Sequence, residues 1–154
     1  MRRAHGSVDR GARLAASVLA AGLLVGCGQT GSATTRIDEA ELEISEVVAT
    51  IVETLELEVT AERPLGSRRG CELVTGQSGA SNTLFVGGPI PDVDDPLGRS
   101  SAVLDAAGYE LVSTDLADEV FGRRDGIRIT VFEDRATGQL VIDAATTCRP
   151  LPQS

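Results

Sequence analysis

Gly76-Gln77-Ser78-Gly79-Ala80 has the small-residue spacing of a nucleophile elbow, the turn that lifts a serine hydroxyl into an active site. That chemistry needs a helix after the Ser and a base to take its proton. The only His is His5, and all 14 cationic side chains are Arg, so no Lys can serve in a Ser-Lys dyad or form a Schiff base. A hairpin turn is therefore the better reading of Gly76 to Gly79. Asp92, Asp94 and Asp95 gather carboxylates in one loop, with Asp115, Asp118 and Glu119 in a later one. A calcium loop wants alternating ligands followed by Gly, and here Pro96 and Leu97 occupy those places. The expectation is a solvated acidic loop, with a weak cation site as the alternative. Two carboxylates a few ångströms apart would suffice to cleave a glycosidic bond, but nothing singles out a pair. With Phe85, Tyr109, Phe121 and Phe132 as the only aromatics, a sugar-stacking platform is poorly supplied. No catalytic residue, cofactor or metal site is expected.

The N-terminus carries an address. Arg2, Arg3, Arg10 and Arg13 precede an apolar run from Leu14 to Val25, too short for the ~20 residues of a spanning helix. It reads as the hydrophobic region of a secretory signal peptide. Leu24-Val25-Gly26-Cys27, at its end, resembles the lipobox of bacterial lipoproteins. The resemblance implies that the Cys27 sulfur is diacylated and that the peptide before it is cut. Two or three acyl chains anchor a domain stably, at ~0.8 kcal/mol per buried methylene, where one chain binds only marginally. The alternative is an ordinary secretory signal in which Cys27 stands near the cut by chance. The lipoprotein reading makes residues 1–26 a signal peptide and residues 27–36 a lipidated Cys with a flexible tether. Residues 37–150 then form one domain and residues 151–154 a tail, held on the outer face of the cell membrane.

Cleavage before Cys27 leaves 128 of the 154 residues, with 10 Arg against 22 acids and a net charge of −12. Such an excess repels nucleic acid and anionic headgroups, so the membrane contact rests on the lipid of Cys27 alone and no nucleic-acid partner is expected. Cys71 and Cys148 remain, and an exported pair reads as a disulfide. The loop of about 77 residues that it closes contributes roughly 4 to 5 kcal/mol on the chain-entropy model. A zinc site is disfavoured because two thiols without His are an incomplete ligand set, and a redox site because such pairs usually come as C-x-x-C.

The elements that must position these groups follow from periodicity. Ile37, Ile44, Val48, Ile51, Leu55 and Val59 lie at spacings of three, four and seven, which predicts an amphipathic helix over 37–62. Asp38, Glu39 and Glu41 in its first turn suit the helix dipole. Leu55, Leu57 and Val59 also fit a short strand. Nine acids and no bases lie in this stretch, either a docking face for a basic partner or a solvated outer face. Cys71 to Thr75 and Thr83 to Val86 flank Gly76 to Gly79 as a hairpin, and Gly87 to Pro96 reads as a loop. Leu97 to Ala107 predicts a short helix closed by Gly108, and Tyr109 to Ser113 a strand. Asp125-Gly126 is the preferred two-residue turn between strands ending at Arg124 and starting at Ile127. Gln139 to Cys148 is a last strand, with Leu140, Ile142, Ala144 and Cys148 on one face. The sum is an α+β domain: a long N-terminal and a short helix on one face of a mostly antiparallel sheet of four to six strands. The disulfide is expected to tie the first strand to the last.

One Cys on the first strand, Gly-Tyr opening a middle strand, Asp-Gly before an amphipathic strand and Thr-Cys near the end resemble the small two-Cys envelope lipoproteins of high-GC Gram-positive bacteria. The likeness spans roughly residues 37 to 150. It implies an α+β envelope domain and transfers no catalytic residue. The expected function is a non-enzymatic, lipid-anchored envelope protein acting through contact with a protein partner. The alternative is a carrier holding a small ligand between the long helix and the sheet.

Overall fold

The computed structural model describes residues 35–152 apart from Ser67 and Asp115. Arg36 opens helix α1 (Ile37–Thr54): its backbone N–H donates to Glu39 Oε2 at 3.2 Å, and Asp38 and Glu39 occupy the first turn, where the helix dipole favours negative charge. The helix predicted over 37–62 stops at Thr54, because Glu56 turns into the left-handed region at φ 51°. Leu57 N–H then donates back to the Val52 carbonyl, closing the last turn. Leu55 and Leu57 stay buried beyond the helix end, whereas Val59 is exposed. The chain continues into β1 (Ala61–Arg63), β2 (Arg69–Glu72), β3 (Ser78–Ser81) and β4 (Thr83–Pro89). After α2 (Pro96–Ala106) come β5 (Glu110–Val112), β6 (Glu119–Arg124), β7 (Ile127–Asp134), β8 (Gln139–Thr146) and β9 (Arg149–Pro150).

Six strands form the main antiparallel sheet, in the order β1-β4-β8-β7-β6-β5; β2, β3 and β9 make a separate small sheet. The architecture is α+β. Period-2 alternation puts Leu84 and Val86 of β4, Ile127, Ile129 and Val131 of β7, and Leu140, Ile142 and Ala144 of β8 on one face. That face meets Ile44, Val48 and Ile51 from α1, Leu55 just past its end and Leu104 from α2, all of them buried. Each large aliphatic side chain buried there contributes ~1.5–3 kcal/mol, which makes this layer the source of the domain's stability. Gly122 lets α2 close onto β6, since a Cβ there would stand 3.2 Å from Leu104 Cδ1. The β6–β7 turn places both Asp125 and Gly126 at positive φ, as the two-residue hairpin requires.

Three further sequence expectations need correction. The hairpin of β2 is made with β3, Cys71 facing Gly79, while Thr83 begins a strand that pairs with β8 and β1 instead. Gly87, Gly88 and Pro89, read as loop, are the end of that strand. A Cβ on Gly88 would lie 2.0 Å from the Glu58 carbonyl oxygen, so glycine there marks where the α1–β1 connection crosses the sheet. The Cys71–Cys148 disulfide is present, with Cα atoms 5.9 Å apart. It joins β2 of the small sheet to the β8–β9 link rather than the first strand to the last, and Cys148 lies beyond the end of β8.

Candidate functional site

The acids of α1 are largely committed to holding the fold. Arg68 makes a two-pronged contact with Glu41, at 2.8 and 2.6 Å, and Asn82 Nδ2 donates to the same carboxylate at 2.7 Å. The Arg68 hydrogen bond is the main cause holding the Glu41 carboxyl below its usual range. Asn82 is buried and fixes the β3–β4 corner: its N–H donates to Thr146 Oγ1, its carbonyl accepts from Thr146 N–H, and its Oδ1 accepts from Thr83 N–H. Farther along α1, Glu43 accepts from the Tyr109 hydroxyl at 2.9 Å and lies 3.7 Å from the Arg124 guanidinium. Burial, and then the charge of Glu43, push the Tyr109 phenol well above its ordinary value, so it stays a donor.

Arg149 is fully buried beside this network. Its Nη1 donates to the Thr35 carbonyl at 3.3 Å and its Nη2 to the Asp125 carbonyl. Its Nε has no partner among the described residues, and desolvation lowers its pKa. Arg149 thus clamps the point where the chain enters the domain, at Thr35, onto the β6–β7 turn.

The residues singled out for chemistry are dispersed. Ser78 is exposed on β3, paired with Glu72, and no helix follows it. Asp95 caps α2, its Oδ1 accepting from Gly98 N–H at 3.0 Å, and the Asp94 backbone carbonyl accepts from Arg99 Nε. Among the described residues no group of three or more His, Cys, Asp or Glu is arranged to hold a metal, so Asp92, Asp94 and Asp95 are not joined by Asp118 and Glu119. Asp115 and Cys27 lie outside the described residues.

Sequence reasoning missed the second face of the sheet. Registers place Arg63, Phe85, Asp143, Thr130, Phe121 and Val112 in one row across all six strands, from β1 to β5. Gly87, Val141, Phe132 and Glu119 make the row above it; Thr83, Ala145, Arg128, Arg123 and Glu110 make the row below. All three Phe of the chain stand here, half-buried, and none belongs to the core between sheet and helices. Arg63 stacks over Phe85, with its guanidinium carbon 5.9 Å from the ring centre. Arg123 is paired with Glu110 at 3.0 Å. Among the described residues neither Arg128 nor Asp143 forms an ion pair. A groove of about 420 Å³ between Leu116, Glu119, Phe132 and Arg135 opens at one corner of this face. The signal was in the sequence: Phe85 is out of phase with Leu84 and Val86, and Phe132 with Ile127, Ile129 and Val131.

A second surface feature is an open groove of about 600 Å³ between α1 and α2, with Val47, Thr50, Ala102, Val103 and Ala106 in its walls and Glu46 and Arg99 at its rim. Compared with known proteins, the chain matches no family model, no curated protein and no solved structure.

Proposed function

We propose that the chain is a lipid-anchored protein of the cell envelope, held at Cys27 on the outer face of the membrane, that acts by protein contact rather than by catalysis. The observation that carries this reading is the face of the main sheet that no helix covers among the described residues, which presents Phe85, Phe121 and Phe132 with Arg and Asp around them. Aromatic and Arg side chains are what protein interfaces concentrate. Single apolar residues on a surface are ordinary, but aromatic side chains gathered on one sheet face mark an interaction surface.

A carrier would need space between helix and sheet. That layer is filled by Ile44, Val48, Ile51, Leu55, Ile129 and Ile142, and the two recesses described above are open grooves on the surface. The non-enzymatic reading rests on the absence of Lys from the whole chain and of His after His5, and on the dispersal of Ser78 and the aspartates. The anchor rests on Leu24 to Cys27. Seven residues separate Cys27 from Thr35, so the domain would sit within roughly 30 Å of the bilayer surface.

The test is a photoactivated crosslinker at Thr130, in the middle of that sheet face, irradiated in native envelopes, with the exposed Ser45 of α1, outside both grooves, as control. The reading expects protein capture from Thr130 and little from Ser45. Absence of any protein product from Thr130 would overturn it. The intact mass must also show acyl chains on a chain beginning at Cys27; a lipid-free chain retaining residues 1–26 contradicts the anchor.

A further inference from the structure

We infer that the partner of the helix-free sheet face is a second copy of this chain, stacked face to face; the inference rests on the contact function proposed above and gives that contact an occupant. The argument comes from strand order. The sheet has three strands on each side of the line between β8 and β7, so a two-fold axis along that line exchanges β8 with β7, β4 with β6 and β1 with β5. In the row through Asp143, the exchange sets Phe85 against Phe121 of the second copy, Asp143 against Thr130, and Arg63 against Val112. In the row above, Phe132 lies over Val141, which its own neighbours already bury, and Gly87, buried as well, stands opposite Glu119. In the row below, Ala145 meets Arg128 and Thr83 meets Arg123.

Every large apolar side chain of the two central rows except Val112 thus meets another apolar one, and no charge meets its like. Isologous contacts demand this kind of self-complementarity. Arg128 and Asp143, which have no ion pair among the described residues, both flank the axis. Arg128 of one copy then stands one row from the Thr130 that faces Asp143 of the other, within reach of a salt bridge.

Size and orientation agree. Six strands of three to eight residues, about 4.8 Å apart with ~3.4 Å rise per residue, present on the order of 600 Å² per copy. Two such faces bury about 1,200 Å², the lower bound of a specific interface, in the aligned packing of a β-sandwich. The small sheet leaves the face free, since Arg68 beside β2 and Arg149 of β9 both reach α1 or the chain entering it. Arg149 also fixes the tether entry, Thr35, to the β6–β7 turn, so the tether leaves from one end of the strands. Two copies anchored in one leaflet carry their tethers at the same end, which an axis along the strands satisfies. Confinement to one leaflet raises their effective concentration and compensates for the modest area.

The test uses the full mature chain in density-matched detergent, followed by sedimentation equilibrium. The parent is expected to dimerise. Phe85→Lys and Phe121→Glu should each weaken dimerisation by roughly tenfold to a hundredfold, as the loss of a central aromatic anchor does. The two together should restore it, because the exchange sets position 85 of one copy against position 121 of the other. A parent that stays monomeric in the detergent, or a double variant no tighter than the singles, overturns the inference. Melting curves establish that each variant folds. A measurement free of these variants mixes isotopically heavy and light chains carrying the Thr130 crosslinker, where a heavy–light product is expected. Capture of a different protein in place of a second copy overturns self-association and leaves the contact function standing; capture of no protein overturns both.

Discussion

The two faces of the main sheet are built from the same strands and differ in nearly every side chain. Toward the helices stand Leu84, Val86, Ile127, Ile129, Val131, Leu140, Ile142 and Ala144, all aliphatic and all buried. On the other side the same β4, β7 and β8 carry Phe85, Phe132, Arg128, Thr130 and Asp143, with only Val141 and Ala145 as buried aliphatics among them. Stability comes from the aliphatic layer, and the aromatic side chains are left for the surface. Tyr109 fits this division: it is buried, but through a hydroxyl bonded to Glu43. Stability and the proposed contact can therefore be altered separately, and substitutions should sort by face.

The largest effect is expected from the element that belongs to neither face. Replacing both Cys71 and Cys148 by Ser should cost roughly 4 to 5 kcal/mol in urea unfolding and loosen the small sheet first, as read by amide exchange at β2 and β3. Ile142→Ala, on the helix side, should cost about 2–5 kcal/mol by the same measurement, because the filled layer cannot collapse into the cavity. Phe132→Ala, one strand away and on the opposite side, should cost less than about 1 kcal/mol as a monomer. Equal losses at the two sites would break the comparison.

The smallest effect concerns pH. The Glu41 carboxyl is lowered by its Arg68 hydrogen bond, so the unfolded chain binds that proton more readily than the folded one. Its stabilisation is complete above the ordinary carboxylate range and is lost as pH falls through the lowered value. Acid titration of the melting temperature should show this loss in the parent and a flatter profile in Glu41→Gln. The effect stays modest because Arg68 is more than a third exposed.

What could be read from sequence followed the range of the forces involved. The Asp125-Gly126 turn and the alternation of Ile127, Ile129 and Val131 are local, and both appear at the expected residues. The small sheet has no such signature: β2 is exposed at three of four residues, so its pairing depends on distant partners and the Cys71–Cys148 bond. Gly87-Gly88-Pro89 looks like a loop because glycine and proline break strands; here Gly88 admits the Glu58 carbonyl, a contact no local pattern announces. The end of α1 was blurred for a related reason, since Leu55 and Leu57 stay buried after the helix has stopped. The aromatic face was legible in the phase of Phe85 and Phe132. Its meaning needed the registers, which bring Phe85 and Phe121 into a single row from strands 36 residues apart in sequence.

The most direct test of the division between the faces is hydroxyl-radical footprinting of the phenylalanine rings, in native envelopes and in the dilute purified chain. The account predicts that Phe121 and Phe132 are oxidised readily in the dilute chain and protected severalfold in the envelope, while Tyr109 is protected in both. Equal oxidation of Phe121 and Phe132 in the two settings would contradict it, because the helix-free face would then be meeting only water.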